Sequence, residues 1–293
     1  MYSNGKKYNV AGLGEVLWDL FPDAEKLGGA PANFSSHAQQ LGAKSFILSS
    51  VGEDVLGKKA TALLQQSKID TTGLQINKYF PTGRVRVELD SNGNPDYTIE
   101  DNVAWDHIKI NTSQKKIAQQ LDALCFGTLA QRNPDSQKSI FKIIATTPTN
   151  CLRVFDVNFR KNLYDFPMVR QSLNLANIVK MNQQEFTEIA EMFTLPKNHK
   201  KGLDSLIKKF QLKMCILTLG DKGAIMATKK EYSCIVPIKT IKVLSTVGAG
   251  DSFTAAAIMG WLNKKPLDQI NQEASHLAAY VCGQLEAVPS IIH

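Results

Sequence analysis

The sequence predicts an α/β protein built on a mainly parallel sheet with helices on both faces, and three observations carry that prediction. Short apolar runs alternate with amphipathic stretches from one end of the chain to the other. Several of those runs are too apolar for one-sided exposure, as strands covered on both faces are. A single segment breaks the alternation and reads as a two-stranded hairpin with one wet face, the sign of a small β appendage.

Taken in order, the apolar runs place strands over 8–13, 45–51, 123–126, 153–157, 178–181 and 215–219. Helical periodicity places helices over 32–41, 57–66, 136–145, 185–193, 203–210 and 251–262. The exception is Arg84-Val85-Arg86-Val87-Glu88-Leu89, which alternates strictly and is followed by Asn92-Gly93 and a second extended stretch over 96–100. No internal repeat or low-complexity linker interrupts the pattern.

The 293 residues, 43% of them hydrophobic, suffice for one large core without staples. Lys and Arg exceed Asp and Glu by 34 to 27, a net charge of +7 that invites an anionic partner. The basic residues are nevertheless scattered in pairs such as Lys115-Lys116 and Lys208-Lys209, without the clustering or interleaved aromatics of a nucleic-acid groove, so no nucleic-acid partner is expected. The five cysteines form no C-x-x-C pair and four of them sit in apolar runs, which fits a reducing compartment. Glu15 and Asp19 interrupt the first hydrophobic run, so no secretory leader is expected, and no run approaches the ~18 apolar residues of a membrane span. A cytoplasmic protein is expected.

The strongest local signal is Thr246-Val247-Gly248-Ala249-Gly250-Asp251, which leads into an Ala-rich helix. Gly248, Ala249 and Gly250 leave backbone N–H groups uncovered at a helix N-terminus, where they and the helix dipole favour an anion. Asp251, expected at the first helical position, either merely caps the helix or holds a base beside that cradle. No Gly-x-x-x-x-Gly-Lys-[Ser/Thr] string occurs, which excludes a P-loop, and Gly12-Leu13-Gly14 lacks its third glycine, which argues against a Rossmann cofactor site. The five histidines show no zinc spacing.

Gly28-Gly29-Ala30-Pro31-Ala32-Asn33 allows close backbone approach and adds a side chain that both donates and accepts, as hydroxyl-rich ligands require; a plain turn with a capping Asn is the alternative. Asp19 lies inside the run Val16-Leu17-Trp18-Leu20-Phe21, where an unpartnered carboxylate is costly, so either a strand end exposes it or a ligand satisfies it. Asn158 and Arg160 follow one apolar strand, and Asn182 and Glu185 follow another, where open α/β sheets place their sites. Arg160 suits phosphate oxygens, and Asn182 with Glu185 one turn later suits a hydrated Mg²⁺; helix capping is the competing role.

In their order and spacing these strings resemble the ribokinase-like sugar kinases of phosphofructokinase-B type, from Gly14-Glu15 to Ala287-Val288-Pro289. Gly14-Glu15-Val16-Leu17-Trp18-Asp19 with Gly127-Thr128-Leu129-Ala130-Gln131-Arg132 is most similar to the bacterial fructokinases. The resemblance implies one three-layer α/β/α domain over 1–293, with a discontinuous β lid from roughly 15–31 and 80–104 in which 16–20 joins the hairpin. An edge-rich lid of that kind invites pairing with a second copy, hence a homodimer.

By the same resemblance Asp19, Gly29 and Asn33 hold sugar hydroxyls, and Gln131 and Arg132 either join them or are surface polarity. Asn158, Arg160, Asn182 and Glu185 arrange ATP and Mg²⁺, with Glu185 reaching the metal through water. Thr218, Gly220 and Gly223 shape the nucleotide groove, Gly248, Ala249 and Gly250 form an anion hole, and Asp251 is the base. The implied reaction is phosphorylation of a sugar, fructose first; another small alcohol as acceptor, or a catalytically silent sugar-binding protein, are the rival readings. Two positions depart from the family: Ser245 stands where relatives carry Asp, and Glu286 where they carry Gly. In relatives these loops bind an activating monovalent cation such as K⁺, and Glu286 is expected to replace part of the missing charge.

Overall fold

A computed structural model describes residues 7–21, 24–89, 95–160, 162–236 and 242–291. Its centre is a nine-stranded sheet formed by β1 (Asn9–Leu13), β4 (Lys44–Gly52), β5 (Leu74–Asn77), β8 (Ala123–Phe126), β9 (Leu152–Asp156), β10 (Ile178–Asn182), β11 (Met214–Thr218), β12 (Ala224–Thr228) and β13 (Tyr232–Ile235). The spatial order is β13-β12-β11-β10-β9-β8-β1-β4-β5. Every pairing is parallel except those of β12 with β11 and with β13.

Strand period two sorts side chains onto two cores. Leu13, Leu124, Phe126, Phe155, Val179, Met181 and Leu217 face a core completed by α3 (Thr112–Ala118), α4 (Pro134–Thr146), α5 (Phe166–Leu175), α6 (Gln183–Met192) and α7 (His199–Phe210). Val10, Cys125, Val154, Ile178 and Ile216 face the other, completed by α1 (Ala30–Gln40), α8 (Ala249–Leu262) and α9 (Leu267–Cys282). Helix α8 is apolar around most of its circumference because it packs between α1 and α9 as well as on the sheet. A third, smaller cluster of Val16, Trp18, Ile47, Val51 and Leu64 seats α2 (Val55–Gln66), whose N-terminus is capped by Asp54 through a 2.7 Å bond from Gly57 N.

A separate four-stranded sheet is ordered β3-β2-β6-β7, from β2 (Leu17–Phe21), β3 (Ala24–Gly28), β6 (Gly83–Leu89) and β7 (Pro95–Ile99). The expected hairpin is β6 and β7, and β2 joins it in parallel with Leu17 opposite Gly83. The Asn92-Gly93 turn lies outside the described residues. Strand β3 falls within the expected 15–31 part of the lid, although the sequence pattern assigns no strand to it: Ala-Glu-Lys-Leu-Gly has no alternation, and it is extended because β2 offers a free antiparallel edge. Ala30 and Pro31, which the sequence placed with the small sheet, are instead the first turn of α1. Trp18 Nε1 donates to Leu56 O at 3.1 Å, and Arg132 donates to Glu100 O at 2.5 Å just past β7, so both sequence segments of the small sheet are moored to the main body.

Candidate active site

The carboxyl ends of the parallel strands bring most of the predicted residues together, as an open α/β sheet requires. At their centre is the first turn of α8. Gly248 takes φ 82° as its N-cap, and Ser252 N closes the first helical bond onto Gly248 O at 2.9 Å. The helix therefore starts two residues earlier than expected, because Gly250 is itself helical, and Asp251 is its third residue rather than its first. No described residue accepts a hydrogen bond from the Gly250 or Asp251 amides.

A Cβ on Gly248 would lie 2.2 Å from Ala287 O, so only glycine lets the C-terminal segment close against this turn. That segment is strapped to α1. His37 Nε2 donates to Ala287 O at 2.9 Å, Gln40 Nε2 donates to Pro289 O at 3.1 Å, and Ile291 N donates to Gln40 Oε1 at 2.7 Å. Burial lowers the His37 pKa to about 4, which keeps the ring neutral.

Asp251 is partly buried and receives a 2.8 Å hydrogen bond from Asn33 Nδ2 on its Oδ2. Burial, reinforced by the charge of Asp156, raises its pKa to about 7, while the Asn33 bond, Lys180 and Arg160 pull it back. Asn33 reaches Asp251 because α1 begins on Gly29, whose φ is 104° and whose absent Cβ would meet Glu15 O at 2.4 Å. Asp19 projects from β2 against Gly28, where a Cβ would lie 2.6 Å from its Oδ2, and burial raises its pKa to about 6. Glu15, 3% exposed, carries an Oε2 with no hydrogen-bond partner and a pKa raised by burial to about 7. The exposed Arg160 guanidinium is within electrostatic reach of Glu15, Asp19 and Asp251 and holds down the pKa of all three. One cation thus faces three carboxyl groups.

Beneath the first turn of α8 lies a polar network that the motifs alone did not single out. Lys180 Nζ, from the middle of β10 and opposite the last residue of β9, donates to Asp156 Oδ1 at 3.0 Å. Thr254 Oγ1, one turn beyond Gly250, donates to Asp156 Oδ2 at 3.0 Å. A Cβ on Gly250 would stand 3.0 Å from Lys180 Nζ. The available signal was a lone lysine inside the apolar run Ile178-Val179-Met181, where an unpaired ammonium is costly, and a lone aspartate closing β9.

Further along the same sheet edge Asn158 adopts φ 38°, a conformation that asparagine tolerates. Asn182 caps α6, and Glu185 closes the capping box: Glu185 N donates to Asn182 Oδ1 at 2.9 Å, and Glu185 Oε2 accepts from Asn182 N at 2.7 Å. The other Glu185 oxygen accepts from Phe159 N at 3.1 Å, which leaves each oxygen a lone pair for water. Among the described residues no cluster of three His, Cys, Asp or Glu could hold a metal ion. Thr218 ends β11, and Gly220 and Gly223 follow with φ of 61° and 94°. Gln131 is displaced from its expected position. It is 1% exposed, and its amide is committed to Gly127 O at 2.7 Å and Ser172 Oγ at 3.0 Å, so it braces the end of β8. Arg132 is likewise occupied by Asp106, beneath a stack on Trp105.

A cleft of about 860 Å³ opens between the small sheet, α1, α2 and the C-terminal segment, lined among others by Asp19, Lys26, Asn33, Ser245 and Glu286. No helix among the described residues is long and apolar enough to cross a membrane.

Residues 23–292 match the pfkB family carbohydrate kinase profile. An uncharacterized sugar kinase of Pyrococcus horikoshii is 31% identical over 277 residues, 88% of this chain and 84% of that one. Its structure in complex with ATP superposes with a TM-score of 0.80, covering 95% of this chain and 94% of that chain at 26% identity. A fructokinase of Salmonella typhimurium is 26% identical over 286 residues, 93% of this chain and 91% of its own. The structure of Vibrio cholerae fructokinase with fructose, ADP and calcium shares the fold, with a TM-score of 0.81 over 97% of this chain and 95% of that chain at 23% identity.

Proposed function

Because the chain belongs to the pfkB family of carbohydrate kinases, we propose that it transfers the γ-phosphoryl group of Mg·ATP to a hydroxyl of fructose, O6 first, with Asp251 as the base. The observation that carries the reading is the Asn33–Asp251 bond at a helix start whose Gly250 and Asp251 amides have no acceptor among the described residues. The acceptor alcohol, its base and the receptor for the migrating charge are then in one place.

Asn33 occupies one oxygen of Asp251 and leaves the other for the acceptor hydroxyl. The alcohol proton passes to that oxygen as its lone pair attacks the γ-phosphorus, and ADP leaves with the bridging oxygen. The amides at the start of α8 and the Arg160 guanidinium offset the charge on the equatorial oxygens. Asp19 and Asn33 supply hydrogen bonds to the remaining sugar hydroxyls, and Gly29 lets the backbone approach them. Glu185, through a water molecule, would hold the Mg²⁺ that would neutralise charge on the nucleotide phosphates, and Asn158, Asn182, Thr218, Gly220 and Gly223 shape the groove. The small sheet acts as a lid that excludes water from the transfer. Fructose is favoured by the Salmonella typhimurium fructokinase among the relatives.

Coupled turnover with Mg·ATP across fructose, ribose, sugar acids and nucleosides tests the reading. Fructose should give the highest kcat/KM. A higher value on another acceptor corrects the substrate, and sugar-induced stabilisation without ADP formation overturns the kinase.

A further inference from the structure

The ion pair of Lys180 and Asp156 has no part in the roles described above, yet it is placed where a phosphoryl transferase has most use for charge. Both side chains are more than nine-tenths buried, at 9% and 6% exposure. A merely architectural pair could sit anywhere along β9 and β10. This one sits where β9 ends, opposite the middle of β10, with the ammonium close to Gly250 and the carboxylate accepting from Thr254 in the second turn of α8.

We propose that Lys180 is a positioning residue for phosphoryl transfer: fixed by Asp156 beneath the first turn of α8, its ammonium places a buried positive charge under the Gly250 and Asp251 amides and beside the Asp251 carboxylate. The proposal rests on the kinase reading for its catalytic half. Three features support it. A Cβ at 250 would stand 3.0 Å from the ammonium, so the cation lies close against the backbone of the cradle. The cation is permanent, because burial would discharge a lone lysine but Asp156, Glu185 and Asp251 together raise its pKa. It is also shielded from counter-ions, so its field reaches the helix start undiminished by salt.

Asp251 is then a carboxyl group between opposing charges. Asp156 from β9 pushes its proton affinity up; Lys180 from β10, Arg160 from the loop after β9 and the Asn33 amide of α1 pull it down. Glu15 from the β1–β2 turn and Cys125 from β8 are the other titratable groups within its reach. Removing Lys180 and removing Asp156 must therefore shift Asp251 in opposite directions, which loss of packing alone would not do.

The experiment follows the Asp251 carboxyl by ¹³C NMR in the full chain, assigned with D251N, alongside kcat and sugar KM. Relative to wild type, K180M should raise the Asp251 midpoint by about one pH unit and D156N should lower it. K180M should also cut kcat about tenfold or more while changing the sugar KM less than about threefold. If K180M fails to fold, D156N is compared with the neutral pair D156N/K180Q, and the double variant should show the higher midpoint and the lower kcat. Equal midpoints in either comparison, or shifts of the same sign for K180M and D156N, overturn the proposal. Should wild type turn over no sugar, the kinase reading fails by itself, and the NMR midpoints still decide the placement of the charge.

Discussion

Asn33 Nδ2 donates a 2.8 Å hydrogen bond to Asp251 Oδ2 across 218 residues of sequence. The bond joins the first turn of α1 to the first turn of α8, so the residue proposed to hold the sugar also orients and tunes the residue proposed to deprotonate it. Only the ionised carboxylate accepts that bond fully, and Asn33 therefore works against the burial that leaves the pKa at about 7.

Asp251→Ala should lower kcat by about 10² or more while leaving ATP affinity close to wild type, because the anion cradle is built from backbone and survives the change. Steady-state kinetics with nucleotide-binding calorimetry distinguish the two effects. Near-normal turnover would remove Asp251 from its role.

The pH profile follows from the same carboxyl group. A base must be ionised, so kcat/KM should fall as pH drops through about 7 in the wild type. Asn33→Ala removes a stabilising donor, and its acid limb should lie higher by about one pH unit. A profile that is flat from pH 5 to 8, or a limb that moves downward in the variant, contradicts this assignment.

Stability should carry an opposite signature. Glu15 has its pKa raised from 4.5 to about 7, chiefly by burial, so between those values the folded chain binds more protons than the unfolded one. Stability then falls as pH rises through that window, by roughly 3 kcal/mol for Glu15. Glu15→Gln should be more stable than wild type at pH 8 and lose that advantage by pH 4. Parallel denaturant titrations at the two pH values check it, and an equal offset at both would show that Glu15 is not the source.

Much of this site could be read along the chain, since Gly29, Asn33, Gly248, Gly250 and Asp251 form local strings whose chemistry is local: glycine where backbone must approach, an amide and a carboxylate at helix starts. The buried parallel strands were legible for a similar reason, because a strand covered on both faces is apolar at successive positions. What escaped was set by distant partners. Strand β3 exists because β2 has an open edge, not because Ala-Glu-Lys-Leu-Gly favours extension. Lys180 pairs with an aspartate 24 residues away, and nothing in either string announces the other. Gln131 read as a polar residue past a strand end, yet the turn after β8 carries it inward to Gly127 and Ser172.

Gly29→Ala tests how far backbone conformation alone builds the pocket. Its φ of 104° is strained for alanine, and the added Cβ would lie 2.4 Å from Glu15 O, a backbone atom that cannot swing aside. The conformational part alone is worth about 1–3 kcal/mol. Thermal melts should show that loss, and the displaced start of α1 should raise the sugar KM. A variant that melts with wild type would mean that the turn relaxes freely.

The monovalent cation supplies the last prediction. Ser245 and Glu286 line one cleft, and the C-terminal segment that carries Glu286 is pressed against Gly248 through Ala287 and held to α1 by His37. A carboxylate at 286 can return to this loop the charge that serine leaves out at 245, and a cation bound there would brace the anion cradle through the same segment. Wild type should then respond to K⁺ with a rise in kcat, and Glu286→Gly should need a several-fold higher K⁺ concentration for half-maximal response. Activity titrated with KCl at constant ionic strength separates binding from screening. If the two proteins trace the same curve, Glu286 contributes no charge to the site, and any activation arises elsewhere.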